Sequence, residues 1–167
     1  ALEEAKIEPN DIRAIGVSGQ QHGLVPLNGQ GDIIRPVKLW NDTSTVEECD
    51  ILTNKLGGRK AVIEHLGLTI PPGFTASKVL WLKRHEPENF RKLRTILLPH
   101  DYLNFYLTGR KMMEYGDGSG TALMNIRTRT WCKEILEAID QNLETMLPPL
   151  QSSDKPVGTI RKEIAEA

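Results

Sequence analysis

Ile12-Arg13-Ala14-Ile15-Gly16-Val17-Ser18-Gly19-Gln20-Gln21-His22-Gly23 decides how this chain is read. The first seven residues alternate apolar with small or polar side chains, which predicts a strand. Gly19 to Gly23 then stand at that strand's carboxyl end, where ligands bind in open α/β sheets. Gln21 and His22 carry groups that can both donate and accept hydrogen bonds, as a polyol's hydroxyls require. The plainer alternative leaves Gln20 and Gln21 facing solvent and His22 as a structural hydrogen-bonding residue.

Working outward, Leu24 to Leu27 continues as a strand, and Asn28-Gly29-Gln30-Gly31-Asp32 is a hairpin turn before a return strand from Ile33 to Trp40. Pro36 within that run predicts an edge position or a bulge. The return strand ends in Trp40-Asn41-Asp42. An aromatic ring can cover the apolar face of a carbon chain while an amide and a carboxylate take its hydroxyls. Asn41 to Thr45 is equally rich in helix-capping residues ahead of Val46, so Asp42 has a capping alternative.

Further along, an amphipathic helix is predicted over 45–56 with Val46, Cys49, Leu52 and Leu56 on one stripe, stopped by Gly57-Gly58. A short helix through Val62, Ile63 and Leu66 follows, and another opens at Thr75 or Ser77 and carries Trp81 toward the core. Thr95 to Leu98 reads as a buried strand, and His100-Asp101 as the cap of a helix ending at Thr108-Gly109. A β-arm is predicted from Thr121 to Thr130, a helix from Trp131 to Ile139, and a strand or turn over Pro156 to Ile160.

Tyr115-Gly116-Asp117-Gly118-Ser119-Gly120-Thr121 holds one carboxylate between two glycines. Glycine permits positive φ and close approach of a ligand to the backbone. A carboxylate so presented can reach a hydroxyl as a general base would. The alternative is a Gly/Ser/Asp turn in which Asp117 bonds its own backbone.

The 167 residues make one domain, 39% hydrophobic and 26% charged, with a net charge of −1. Lysines and arginines are scattered, which argues against a nucleic-acid surface. No apolar run approaches the ~18 residues of a membrane span, and no signal-peptide layout opens the chain. Cys49 and Cys132 lie far apart and predict free thiols, and the cytoplasm is the simplest compartment. The histidines His22, His65, His85 and His100 lack metal-ligand spacing, so no protein-bound metal is predicted. No Gly-x-Ser-x-Gly elbow occurs, and the Gly-Asp-Gly run lacks the lysine of a Walker loop. Ala1 to Lys6 reads as the tail of a helix and Arg161 to Ala167 as the start of one, so a piece of a longer protein is expected.

Five blocks together carry a resemblance: Ile15 to Gly23, Arg35 to Asp42, Pro72 to Lys83, Leu97 to Leu103 and Asp117 to Thr121. In this order they resemble the FGGY carbohydrate kinases, the bacterial-type D-xylulose kinases in particular. The resemblance implies an α/β ribonuclease H-like, actin/hexokinase-type ATPase domain, two of which close on sugar and ATP. It implies that residues 1–167 are a partial, sugar-side N-terminal domain. The phosphate-binding strands with their Asp-x-Gly-Thr pattern and metal-associated aspartate, and the nucleotide-side domain, would lie outside them. It implies Asp117 as the base on the sugar's terminal hydroxyl and Gln21-His22 at the sugar, with many relatives carrying methionine in place of Gln21. Trp40, Asn41 and Asp42 fall in a block near the sugar.

The implied reaction transfers the ATP γ-phosphoryl group, with Mg²⁺, to O5 of D-xylulose. Neither ATP nor Mg²⁺ is expected to bind tightly to these residues alone, and alone they are expected to be inactive. Another sugar or polyol (ribulose, gluconate, glycerol) or a non-catalytic sugar-binding module are the competing functions. Sheet edges left open by missing strands favour self-association, consistent with a homodimer.

Overall fold

The computed structural model describes residues 2–166; Ala1 and Ala167, at the ends of the two predicted terminal helices, lie outside the described residues. In chain order the elements are α1 (Leu2–Ala5), β1 (Val25–Leu27), α2 (Val46–Lys55), α3 (Arg59–Leu66), α4 (Thr75–His85) and α5 (Pro87–Lys92). Next come β2 (Thr95–Leu97), α6 (Pro99–Thr108), β3 (Met113–Glu114), α7 (Tyr115–Ser119), β4 (Met124–Asn125) and β5 (Thr130–Trp131). The chain finishes with α8 (Lys133–Ile139), β6 (Leu150–Gln151) and α9 (Lys162–Ala165).

β1 pairs antiparallel with β2, placing Val25 opposite Leu97 and Leu27 opposite Thr95. Side chains alternate across a strand, so this ladder divides two apolar layers. Val25, Leu27 and Leu97 face Tyr102 and Phe105 of α6. Leu24 and Ile96 turn the other way, into a larger core built from α2, α3, α4 and α8. Helix ends follow local chemistry. Gly57 and Gly58 after α2, Gly67 after α3 and Gly109 after α6 all take positive φ, the conformation that lets a chain leave a helix without a Cβ clash.

The predicted hairpin is present as two isolated bridges, Leu24 to Lys38 and Leu27 to Ile33. Three residue steps on one side face five on the other, so the return segment bulges around Pro36. The turn is closed by Asn28, whose Oδ1 accepts from the backbone of Gln30 and Asp32, both at 2.9 Å.

Several expectations are corrected. Residues 12–18 form no strand: they have no ladder partner among the described residues, with Ile15 55% exposed. Alternation marks a face, but a strand also needs a neighbour for its N–H and C=O groups. Pro156 to Ile160 is likewise irregular. On α2, Val46 points to solvent and Glu48 is buried instead, ion-paired with Arg84 of α4. Trp81 is only partly buried; Lys38 Nζ sits 3.9 Å from its ring centre and His85 stacks beside it at 5.0 Å. Asp101 does not occupy the N-cap of α6 but its third position, where Oδ2 accepts the backbone N–H of Leu98 at 3.0 Å. No helix of the described residues is long and apolar enough to cross a membrane.

Candidate functional site

The loop before β1 is where the predicted residues converge. His22 has φ 64°, a conformation uncommon for a residue with a side chain. Three contacts hold it there. Its Nδ1 lies 2.6 Å from the carbonyl of Gly120, its ring stacks on Phe74 at 4.2 Å, and its own carbonyl accepts from Lys78 Nζ at 2.8 Å. Thr75 Oγ1 adds a longer bond to that carbonyl, 3.3 Å. A carbonyl only accepts, so Nδ1 carries the proton and Nε2 is left as an acceptor. Burial holds the ring below the ordinary histidine value; the Gly120 bond opposes this and the Lys78 charge adds to it. His22 is therefore a neutral imidazole at neutral pH.

His22, Gln20, Gln21 and Trp40 line one cavity of about 260 Å³. Trp40 is 57% exposed over it, and Gln21 is exposed. The structure thus brings together three of the sugar-facing candidates. Asn41 is exposed beside them. Asp42 does not line the cavity. Its Oδ1 accepts from the Ser44 backbone (3.0 Å) and hydroxyl (2.6 Å), and its Oδ2 from Lys38 Nζ (2.8 Å). Burial is the largest single influence and lifts its pKa, but the bonds from Lys38 and Ser44 and the Lys38 charge together prevail and hold it well below the usual carboxylate range. The capping alternative is met in altered form. Asp42 closes the turn before α2, whereas the N-cap of that helix is Thr45.

Asp117 lies in α7, a single helical turn capped by Glu114, whose Oε2 accepts from Gly116 N at 2.7 Å and Asp117 N at 3.2 Å. Gly116, Gly118 and Gly120 all have negative φ, so the positive φ that glycine permits is not used there. Gly120 serves close approach instead: a Cβ there would sit 2.5 Å from His22 Cε1. The Asp117 carboxylate meets His100 of α6, with Oδ2 3.2 Å from Nδ1, and the same Nδ1 lies 3.4 Å from Asp101 Oδ1. His100 Nε2 faces the Asn104 amide nitrogen at 3.4 Å, which favours a proton on Nδ1, at ion-pair distance from both carboxylates but in hydrogen-bond alignment with neither.

Burial lifts Asp117 to about 6, against the pull of His100, and the charges of Asp101 and Glu114 add to the rise. Contact with Asp101 raises His100, burial opposes, and the Asp117 charge adds. Asp101, wholly buried, is raised by that burial.

The ligand atoms of His100, Asp101 and Asp117 fall within 4.8 Å of one another, a juxtaposition that sequence spacing did not foretell. His100 Nδ1 and Asp101 Oδ1 are buried without a hydrogen-bond partner among the described residues, and one of the three donor atoms is an imidazole nitrogen. Mg²⁺ favours octahedral oxygen and water ligands at about 2.0–2.1 Å. The trio therefore does not fit Mg²⁺. Asp117 lines neither the small cavity nor the larger one, about 700 Å³, which takes in His100, Asn104 and Glu114 together with segments 12–17 and 152–160.

Sequence reasoning passed over Lys78, Phe74 and the His100–Asp117 pair. One signal was available: Lys78 sits among Ala76, Val79, Leu80 and Leu82, on the apolar stretch of α4.

The family model described as the FGGY family of carbohydrate kinases, N-terminal domain, matches residues 1–167. A xylulose kinase of Haemophilus influenzae is 44% identical over 171 residues, covering 99% of this chain and 35% of that protein. A xylulose kinase of Escherichia coli is 36% identical, covering 94% of this chain and 32% of its own length. A crystal structure described as a xyloylose kinase from Brucella ovis superposes with a TM-score of 0.85 at 34% identity, over 92% of this chain and 31% of that one. The chain thus spans about a third of the length of the relatives it matches.

Proposed function

Because the chain belongs to the FGGY family of carbohydrate kinases, with the mixed α/β fold of that family's N-terminal domain, we propose that the full-length protein is a D-xylulose kinase. In this reading the γ-phosphoryl group of ATP passes to O5 of D-xylulose, giving D-xylulose 5-phosphate. The observation that carries it is the cavity bounded by His22, Gln21 and Trp40, in a chain 44% identical to a protein named as a xylulose kinase. The Trp40 ring covers the sugar's carbon chain. His22, neutral and pinned by Gly120, offers Nε2 to a hydroxyl proton, while the Gln21 amide bridges neighbouring hydroxyls. Asn41 and Asp42 border the same loop. ATP and Mg²⁺ would be held by parts of the full-length protein outside these residues, and bound Mg²⁺ would neutralise phosphate charge.

Asp117 is proposed as the general base that takes the O5 proton. Its pKa of about 6 leaves it mostly ionised at neutral pH yet more basic than an ordinary aspartate. A second reading is favoured by one observation: Asp117 lines neither cavity and is clasped by His100. In that case the pair positions α7, and through Gly120 the imidazole of His22.

Asp117→Asn in the full-length kinase separates the two. As base, its loss lowers kcat by about 10²–10⁴-fold, and wild-type kcat/KM climbs as pH rises through about 6. Turnover above about a tenth of wild type, with the loss appearing in the sugar KM, assigns positioning instead. A coupled assay over xylulose, ribulose, gluconate and glycerol tests the substrate, and turnover of none of them would sink the kinase reading.

A further inference from the structure

Lys78 is the largest fully buried side chain of the described residues, and its ammonium makes no salt bridge among them. An unpaired buried charge is expensive, and a lysine answers by losing its proton more readily. Burial lowers this one to about 8, with the Asp42 charge opposing and that of Lys38 adding. The side chain nevertheless spends its donors on two backbone carbonyls. Nζ lies 2.8 Å from His22 O and 2.8 Å from Leu39 O. Those two carbonyls belong to the two loops, on either side of the bulged hairpin, that carry His22 and Trp40 to the small cavity.

The His22 carbonyl is the sensitive end. The residue stands at φ 64° in the loop before β1, where its carbonyl has no ladder partner among the described residues. Strained backbone of this kind persists where its surroundings over-determine it, and it clusters at ligand sites. The second loop is tied just as closely: Gly73, one residue before Phe74, packs so near the Trp40 carbonyl that a Cβ there would approach to 2.5 Å. α4 and the turn before it therefore act as a jig for both rings, and Lys78 is its only member that reaches both loops through one atom.

We infer that Lys78 is the positioning residue of the sugar pocket, fixing the distance between the His22 imidazole and the Trp40 indole by hydrogen-bonding the backbone of both loops. This rests on the reading that His22 and Trp40 meet the sugar. Lys78 itself touches no substrate and takes no proton in the reaction.

The test compares full-length wild type with Lys78→Met, which keeps the aliphatic bulk and removes the donors, and with Thr75→Val, which removes only the weaker bond to His22. Lys78→Met raises the sugar KM about tenfold while the ATP KM stays within about twofold, and Thr75→Val moves the sugar KM in the same direction by about two- to threefold. The downfield Nδ1 proton resonance of His22, protected by Gly120 in wild type, exchanges away in Lys78→Met. A sugar KM and a His22 resonance both unchanged in a folded Lys78→Met protein overturn the inference, as does an equal rise in both KM values. If Lys78→Met does not fold, an unchanged sugar KM in Thr75→Val overturns it. Wild type that phosphorylates no sugar of the panel defeats the kinase reading instead, and the His22 resonance then decides the role of Lys78 by itself.

Discussion

Two aspartates, Asp42 in the turn before α2 and Asp117 in α7, are held in opposite ways. Asp42 is surrounded by donors: a lysine, a hydroxyl and a backbone N–H converge on its two oxygens, and its pKa is driven down. Asp117 has one imidazole, shared with a second carboxylate, and burial drives it up to about 6. The contrast is a matter of stoichiometry. Three donors for one carboxylate fix a permanent charge, which makes a turn rigid. One donor between two carboxylates leaves a proton near its balance point at neutral pH, which suits a group that exchanges protons or adjusts to a ligand.

The largest expected effect tests the Asp117 side through stability. A carboxyl whose folded pKa lies above its unfolded value binds protons more tightly when folded. Its contribution is full below about pH 4 and is lost as pH rises through about 6. The shift corresponds to at most about 3 kcal/mol. His100, also raised, loses its contribution in the same direction at higher pH. Chemical denaturation of wild type should therefore show stability falling between pH 4 and 7, and Asp117→Asn should flatten most of that slope. An identical slope in both proteins would remove the charge imbalance from the comparison.

Gly120→Ala probes the junction between the Asp117 turn and His22. The new methyl would meet the imidazole at 2.5–2.7 Å, so the ring must swing off the Gly120 carbonyl. Overpacking of this kind costs about 1–3 kcal/mol. A loss of about 2 kcal/mol in denaturation, with sugar affinity falling by calorimetry on the full-length protein, is the expected result. Unchanged affinity would mean that α7 and the small cavity are independent.

Much of this was open to sequence reasoning where the causes are local. The Asn28–Asp32 turn, the bulge at Pro36 and the stop of α6 at Gly109 each follow from one or two residues acting on their own backbone. Gln21, His22 and Trp40 come to one cavity although the strand expected over residues 12–18 is absent, because the Leu24–Lys38 bridge sets the two ends of the hairpin side by side. Residues 12–18 misled because alternation reports a face and not a partner. The parallel pairing of Met113 with Leu150 spans a stretch whose register nothing local records. His100 was legible only as a cap because its link to Asp117 is a tertiary side-chain contact between α6 and α7. Lys78 was passed over because lysines in helices ordinarily face water.

The smallest effect lies on the Asp42 side, and its sign is what matters. A carboxyl with a depressed folded pKa stabilises above its unfolded value, near 4, and that contribution drains away as pH falls through the folded value. Asp42→Asn keeps an acceptor for Ser44 but gives up the charge that faces Lys38, whose Nζ also reaches Ser44 Oγ at 2.8 Å and covers the Trp81 ring. Those remaining contacts, and the partial exposure of Asp42, limit the loss to about 1 kcal/mol at pH 7. The gap between wild type and variant should narrow as the solution is acidified below pH 4, because wild type then loses the charge that the variant never had. That trend is opposite to the one expected of Asp117→Asn. Two variants with parallel pH profiles would mean that the donor count around each carboxylate does not set its behaviour.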